Sequence, residues 1–247
     1  MKVLVSIDDT DNLESRGTGH LASDLAMDIE NKGWGKGSFV TRHQLFVHPD
    51  VPYTSHNSSM CFVADMGDQY LVPLIDHASR FLENESAPGS DPGLCVAVLD
   101  RLQHPIEIID YGKRAKRQII TKAEAREMAS RNGIHLSEHG GTGGGIIGAL
   151  AGIGLRLSGN DGRVKGKLFR EAAGRVLSVG EILFQSHVDM VKSISGDPMH
   201  DDQFIRLGEK VKAVFLDGRS VLLVVPEKAP GDGVYWRTIP RQDLNGY

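Results

Sequence analysis

The stretch Lys2-Val3-Leu4-Val5-Ser6-Ile7-Asp8-Asp9-Thr10-Asp11 runs a β-branched, apolar segment directly into three carboxylates. Residues 2–7 read as a buried strand, and the acidic residues fall at its exit. Ionised aspartates lose hydration in a partly enclosed site and repel one another, so they stay charged only beside a cation or under tight hydrogen bonding. Hard oxygen donors select Mg2+ or Mn2+, and Mg2+ held by one or two carboxylates shares its remaining positions with substrate phosphates. Asp8, Asp9 and Asp11 are therefore candidate metal ligands. The competing reading is a solvated turn in which Asp11 or Asn12 caps the helix beginning near Thr18.

Working outward, Thr18 to Asn31 places Leu21, Leu25 and Ile29 at helical i, i+4 spacing, and Ser38 to Val47 alternates as a second strand. Ser59 to Ala64 predicts a third strand, Tyr70 to Phe81 a helix, and Leu94 to Leu99 a fourth strand. This βαββαβ order is that of a ferredoxin-like split unit. After Pro105 the pattern turns helical, over Ile106 to Ile120 and Ala123 to Arg131, and then enters a glycine-rich segment with its own helix. Beyond a turn-rich break at 160–166, Val176 to Phe184 reads as a helix. Val188 to Ile194, Val211 to Phe215 and Ser220 to Val225 read as strands, the last two joined by an Asp217-Gly218 hairpin turn. The expectation is an α+β protein. A ferredoxin-like βαββαβ unit with the acidic motif occupies residues 1–103, and a helical glycine-loop region plus C-terminal strands, packed against it, occupies 104–247.

With 40% hydrophobic and 24% charged residues, the 247-residue chain reads as globular rather than disordered. The net charge of −4 makes no global electrostatic case for nucleic acid, although a local basic patch is compatible with it. Cys61 and Cys95 both lie in apolar runs, which points to buried thiols in a reducing cytoplasm, and two cysteines cannot build a four-thiolate zinc ribbon. No apolar stretch is long enough to span a bilayer, and no signal peptide precedes the first strand, so a cytoplasmic location without a membrane partner is expected.

The second strong signal is Gly140-Gly141-Thr142-Gly143-Gly144-Gly145 followed by Ile146-Ile147-Gly148-Ala149-Leu150-Ala151-Gly152-Ile153-Gly154. Such a loop brings backbone close to a ligand, and the helix it opens offers free N–H groups and a dipole to an anion. It is neither a P-loop, which ends in Gly-Lys-Ser/Thr, nor a dinucleotide fingerprint. A hinge with a closely packed small-residue helix is the structural alternative. The loop 48–57 is dense in hydroxyl, imidazole and amide groups and reads as a ligand loop, with His56 and Asn57 positioning substrate. Ser86 to Gly93 reads as a stiff, turn-rich loop, either structural or part of a phosphate site. Lys113, Arg114, Lys116 and Arg117 form either a solvated helix face or a phosphate-neutralising cluster, and the histidines show no zinc spacing.

The acidic motif, the loop HPDVPYTSHNSS, the DPG turn entering a strand and the segment GGTGGGIIGALAGIG resemble, in that order, the N-terminal half of the archaeal tRNA agmatinylcytidine synthetase family. The resemblance covers roughly the first 160 residues. It implies a kinase-like catalytic domain with an adjoining ferredoxin-like domain, and use of ATP and agmatine to modify an anticodon cytidine that is activated by phosphorylation. The family's acidic motif is usually followed by a Cys-Thr-Thr tract with a phosphorylated threonine. Here Thr18 matches one hydroxyl and Gly19 replaces the other. The family loop Lys-Thr-Arg-Gly-Asn is here Thr54-Ser55-His56-Asn57-Ser58, without its two cations, and no counterpart of the family's OB-fold and zinc ribbon is expected.

The expected function is a Mg2+-dependent, ATP-using phosphoryl-transfer enzyme, of transferase or ligase type, acting on an unidentified acceptor. Asp8, Asp9 and Asp11 hold metal, Gly140 to Gly145 with Thr142 cradle phosphates, Asp9 alternatively serves as base, and Thr18 transiently accepts a phosphoryl group. The partners expected are a nucleotide and a small-molecule acceptor, with the C-terminal strands offering a homodimer surface or a substrate lid. Two alternatives stand beside this: a metal-dependent phosphoesterase using His43, His48 or His139 with the aspartates, and a non-catalytic nucleotide-binding module.

Overall fold

The computed structural model describes residues 1–51, 57–169, 171–227 and 235–244. The chain falls into two compact units, Met1–Ser158 and Gly159–Tyr247. The division expected at 103/104 therefore lies inside the first unit, which also holds the helices and the glycine tract that follow.

The first unit runs β1 (Lys2–Asp8), α1 (Thr18–Asn31), β2 (Gly35–Gly37), β3 (Thr41–Gln44), β4 (Ser58–Met66), α2 (Leu71–Glu85), β5 (Gly93–Val98), α3 (Pro105–Ala115), α4 (Lys122–Arg131), β6 (His135–Glu138) and α5 (Ile146–Leu157). Its sheet order is β6-β5-β1-β4-β3, with β2 also on β4. Every pairing given for it is antiparallel: Val5 faces Phe62 on one side and Val96 on the other. With β2 and β3 counted as one interrupted strand, β1 through β5 make the expected βαββαβ unit. The interruption has a local cause. Ser38 donates its N–H to the Val63 carbonyl at 2.7 Å while its hydroxyl accepts the Val63 N–H at 2.9 Å, so a side chain replaces one rung of the ladder.

β1 is buried on both faces, which explains its unbroken apolar run. Val3, Val5 and Ile7 pack with Leu21, Leu25 and Ile29 of α1 and with Leu74 and Leu82 of α2. Leu4 points the other way, toward Ile108 and Tyr111 of α3 and Leu150 and Ile153 of α5. Full burial of each such aliphatic side chain contributes about 1.5–3 kcal/mol, so the central strand is anchored twice over. β6 is not among the expected strands, because four residues between the turn at Gly133 and the glycine tract are too few for a period of two to declare itself.

The second unit contains β7 (Arg163–Val164), β8 (Val176–Ser178), α6 (Val179–Gln185), β9 (Met190–Ser193), β10 (Phe204–Arg206), β11 (Val214–Leu216), β12 (Arg219–Pro226) and β13 (Trp236–Thr238). Asp217 and Gly218, with φ of 51° and 72°, turn β11 into β12 as a tight hairpin. The helix expected from Val176 starts only at Val179. Ser178 stops the strand and closes a capping box with Glu181, each satisfying the other's backbone N–H. Among the described residues no helix is long and apolar enough to cross a membrane.

Candidate functional site

Asp8 is the last residue of β1 and lies opposite Gly93, the first residue of β5. Asp9 follows in the left-handed region at φ 51°, a conformation aspartate tolerates better than most residues, and this turns the chain off the sheet. The loop then returns through Asn12, whose side chain accepts the Glu14 N–H, to Gly17 at φ 87°. Gly17, rather than Asp11 or Asn12, occupies the N-cap of α1, and no side chain caps that helix. A Cβ on Gly17 would sit 3.5 Å from Asp11 Oδ2, so Asp11 lies beside the helix start, and Thr18 is the buried first residue of α1.

The glycine tract crosses directly over this strand end. A side chain on Gly93 would collide with the backbone of Gly145 and Ile146, and one on Gly148 would overlap the Asp8 carboxylate. Small residues at these positions let α5 lie against β1 with Asp8 enclosed beneath it. The acidic motif and the glycine tract, more than a hundred residues apart in sequence, therefore form one neighbourhood.

Asp91 joins them. Its carboxylate accepts the Thr142 N–H at 2.6 Å, the Thr142 hydroxyl, and the Gly144 N–H at 3.4 Å, while its carbonyl accepts the Gly145 N–H at 3.1 Å. Its own N–H donates to the Asp9 carboxylate. Lys122 fastens the tract from the other side by donating to the Thr142 carbonyl. Reading 86–93 as a structural turn overlooks Asp91. A carboxylate in a rigid turn just before a strand that neighbours the acidic strand is the signal that could have found it.

The electrostatics follow from this crowding. Burial, then the charge of Asp9, pushes the Asp8 carboxyl up to about 8. Asp9 is pushed up to about 6 by burial, then by the charges of Asp91 and Asp11, against the stabilising Asp91 N–H. Partial burial opposes the charge on Asp91, yet the bonds from Thr142 and Gly144 outweigh it and hold that carboxyl below its usual range. Asp91 is thus a carboxylate seated on backbone amides, and Asp8 and Asp9 are carboxylates short of positive charge. Thr10, between Asp9 and Asp11, is buried at 1% exposure, and its Oγ1 has no hydrogen-bond partner among the described residues.

The other expected site residues have bonds of their own. Asn57 spends its amide on the Phe46 carbonyl at 2.7 Å, tying the loop ends together, and His56 lies outside the described residues. His43 is buried against Thr41 at 2.7 Å, His48 stacks on Phe46, and His139 bonds Ser137 and Glu83. Among the described residues no three carboxylate, imidazole or thiolate groups gather as a ready-made metal cage. Among the described residues these histidine rings therefore do not gather with the aspartates as the phosphoesterase alternative expects. Of the basic cluster, Arg114 pairs with Glu124 on α4, while Lys113 and Arg117 are exposed.

No family model matches the chain. Over 155 residues it is 30% identical to an uncharacterized protein of Methanocaldococcus jannaschii, a match covering 62% of this chain and 50% of that protein. Among solved structures, a tRNA fluorescent labeling enzyme superposes with a TM-score of 0.55 at 25% identity, over 62% of this chain and 36% of that one. The complex of TiaS with an isoleucine tRNA and ATP gives 0.55 at 24% identity over the same shares. Apo TiaS, a tRNA agmatidine synthetase, gives 0.53 at 23%, over 62% and 35%. The chain spans half the length of the curated relative and about a third of the solved chains. Over 62% of its length, this chain shares the fold of these structures and is similar to the tRNA agmatidine synthetase TiaS, the resemblance that its four ordered motifs carry.

Proposed function

We propose that the first unit is an ATP-using catalytic module that transfers a phosphoryl group to an acceptor at the junction of the acidic motif and the glycine tract. One observation carries the reading: the Asp91 carboxylate sits on the amides of Thr142 and Gly144 beside the charge-starved pair Asp8 and Asp9. The positive dipole at the start of α5 gives the tract the polarity to attract a phosphate, which would take the Thr142 and Gly144 amides by displacing the Asp91 carboxylate.

A divalent cation fits the donor set. Asp8 and Asp9 are hard oxygen donors whose raised carboxyl pKa values mark missing positive charge, and the buried Thr10 hydroxyl, without a hydrogen-bond partner among the described residues, lies between them and Asp11. Mg2+ takes one or two protein carboxylates and fills its remaining positions with water and phosphate, so a three-residue cage is not required. Asp8, Asp9 and Asp11 would hold it, and when bound it would neutralise phosphate oxygens during transfer. Alternatively, Asp9, with a carboxyl near 6 when no metal is bound, would serve as the base that takes a proton from the acceptor close to neutral pH. Gly140 to Gly145, with Thr142, would form the phosphate-facing wall, and Thr18, the buried first residue of α1, would receive a phosphoryl group.

TiaS structures contain ATP, an ATP analogue with agmatine, and an isoleucine tRNA, which supports ATP as donor here. They also favour a second reading for the acceptor, an RNA base, for which exposed Lys113 and Arg117 at the end of α3 offer phosphate contacts. Calorimetry with ATP and Mg2+ tests the core of the reading. Wild type is expected to give a binding heat that the double variant Asp8→Asn, Asp11→Asn loses; identical heats in both would remove it. Hydrolysis or transfer of the γ-phosphate separates an enzyme from a module that only senses nucleotide.

A further inference from the structure

At the edge of the sheet next to β5, strand β6 and the residue after it carry His135, Ser137 and His139, which alternate and so leave the same face. Ser137 Oγ lies 2.8 Å from His139 Nε2 and 3.0 Å from His135 Nε2. His139 Nδ1 lies 3.4 Å from Glu83 Oε1, near the end of α2. Asp76, two turns earlier on α2, acts electrostatically on His135, and the row ends where His139 runs into Gly140 of the glycine tract.

Glu83 can only accept, so its contact favours the His139 tautomer with the proton on Nδ1; Nε2 then takes the Ser137 hydroxyl proton, and His135 Nε2–H would donate to the same oxygen. The His139 side chain is 5% exposed, which restricts the ring, while Ser137 is half-buried and reachable. Hydroxyl, imidazole and carboxylate in this order make up the arrangement that activates a serine. The strand supplies one further element. β6 is the last strand of the sheet order, and the His139 N–H bonds the Pro92 carbonyl at 2.8 Å. By antiparallel alternation, Ser137 and His135 also turn their backbone groups toward β5, and Leu136 and Glu138 turn theirs to the open edge. The Glu138 N–H, immediately after the hydroxyl, is thus placed to meet an oxyanion. Asp76 and Glu83 at the rim oppose an anionic substrate, which disfavours phosphoesters.

We propose that Ser137, His139 and Glu83 form a second catalytic centre, an acyl-transfer site for a neutral or cationic carboxylic ester. Ser137 Oγ bonds to the ester carbonyl carbon as its proton passes to His139 Nε2. The bond to the alcohol then breaks, and the alcohol leaves with that proton. Water repeats the sequence on the acyl-serine, releasing the carboxylic acid and restoring the hydroxyl. Glu83 holds the imidazole throughout.

The full chain is treated with an alkyl fluorophosphonate, which bonds Ser137 Oγ through phosphorus and releases fluoride with the hydroxyl proton, and is assayed in parallel with p-nitrophenyl acetate. Mass spectrometry is expected to place the adduct on Ser137. Ser137→Ala should abolish both signals without changing ATP binding. His139→Gln should slow labelling about 100-fold, and Glu83→Gln, at a position 58% exposed and therefore safe for folding, by at least about tenfold. Circular dichroism confirms that each variant is folded; if His139→Gln is not, Glu83→Gln decides alone. No adduct on folded wild type, an adduct elsewhere, or Ser137 labelling that is indifferent to Glu83→Gln overturns the proposal.

Discussion

Thr142 presents both its N–H and its hydroxyl to the carboxylate of Asp91, the N–H at 2.6 Å. This contact, spanning 51 residues, fixes the first bend of the glycine tract above the exit of β1. Replacing Asp91 with Ala would leave two backbone donors and a hydroxyl without their acceptor. A loss of about 1–3 kcal/mol is expected by urea denaturation, with Asp91→Asn losing less, because its amide oxygen still accepts from Thr142. Stability unchanged in Asp91→Ala would mean that the clamp holds nothing.

Gly148 faces the Asp8 carboxylate so closely that a methyl group overlaps it and also comes within 2.9 Å of Leu45 Cδ1. Gly148→Ala is expected to destabilise by about 1–3 kcal/mol, although alanine favours helix by about 1 kcal/mol. In combination with Asp8→Ala most of that loss should disappear, whereas the isosteric Asp8→Asn should not rescue it. A double-mutant cycle on melting temperature reads the coupling directly.

Asp8 and Asp9 bind protons more tightly in the folded chain than in the unfolded chain, where carboxyls titrate near 3.8. The metal-free protein therefore carries their contribution fully below about pH 4 and loses it as pH rises through about 6 for Asp9 and about 8 for Asp8. The slope is about −1.4 kcal/mol per pH unit for each proton held only by the folded state. In EDTA, the melting temperature should fall between about pH 5 and about pH 8.5. Mg2+ should restore it most at the alkaline end, and Asp8→Asn should flatten the dependence. A melting temperature that rises with pH over this range in EDTA would contradict the site's electrostatics.

Cys61 and Cys95 are fully buried, and both thiols are raised. Burial drives Cys61 up to about 12 against the nearby Arg156 charge, and burial with the neighbouring Cys61 raises Cys95. At about pH 8 the native chain should react with a disulfide reagent only as fast as it opens, and both thiols should titrate at once in denaturant. Rapid labelling of either in the folded protein would contradict their placement beneath α3 and α5.

The periodicities of Val3-Leu4-Val5, Leu21-Leu25-Ile29 and Ser59 to Ala64 are local, and each reports a single element turning one or both faces to a core. The order βαββαβ, the carboxylates at the exit of β1 and the glycine loop before α5 are accordingly readable from residues alone. Other features are not. Ser38 breaks its strand because its hydroxyl bonds Val63 across the sheet. Residues 135–138 become a strand only by pairing with β5. Asp91 acquires its role from Thr142 and Gly144, far along the chain.

Hydrophobic spacing and turn chemistry act between near neighbours, so the amino-acid order alone settled which segments fold and where acid and glycine lie. Which of those groups meet is decided by packing between distant segments. It put Gly93 and Gly148 where no side chain fits, enclosed Asp8 beneath α5, and seated Asp91 on the amides of the glycine tract.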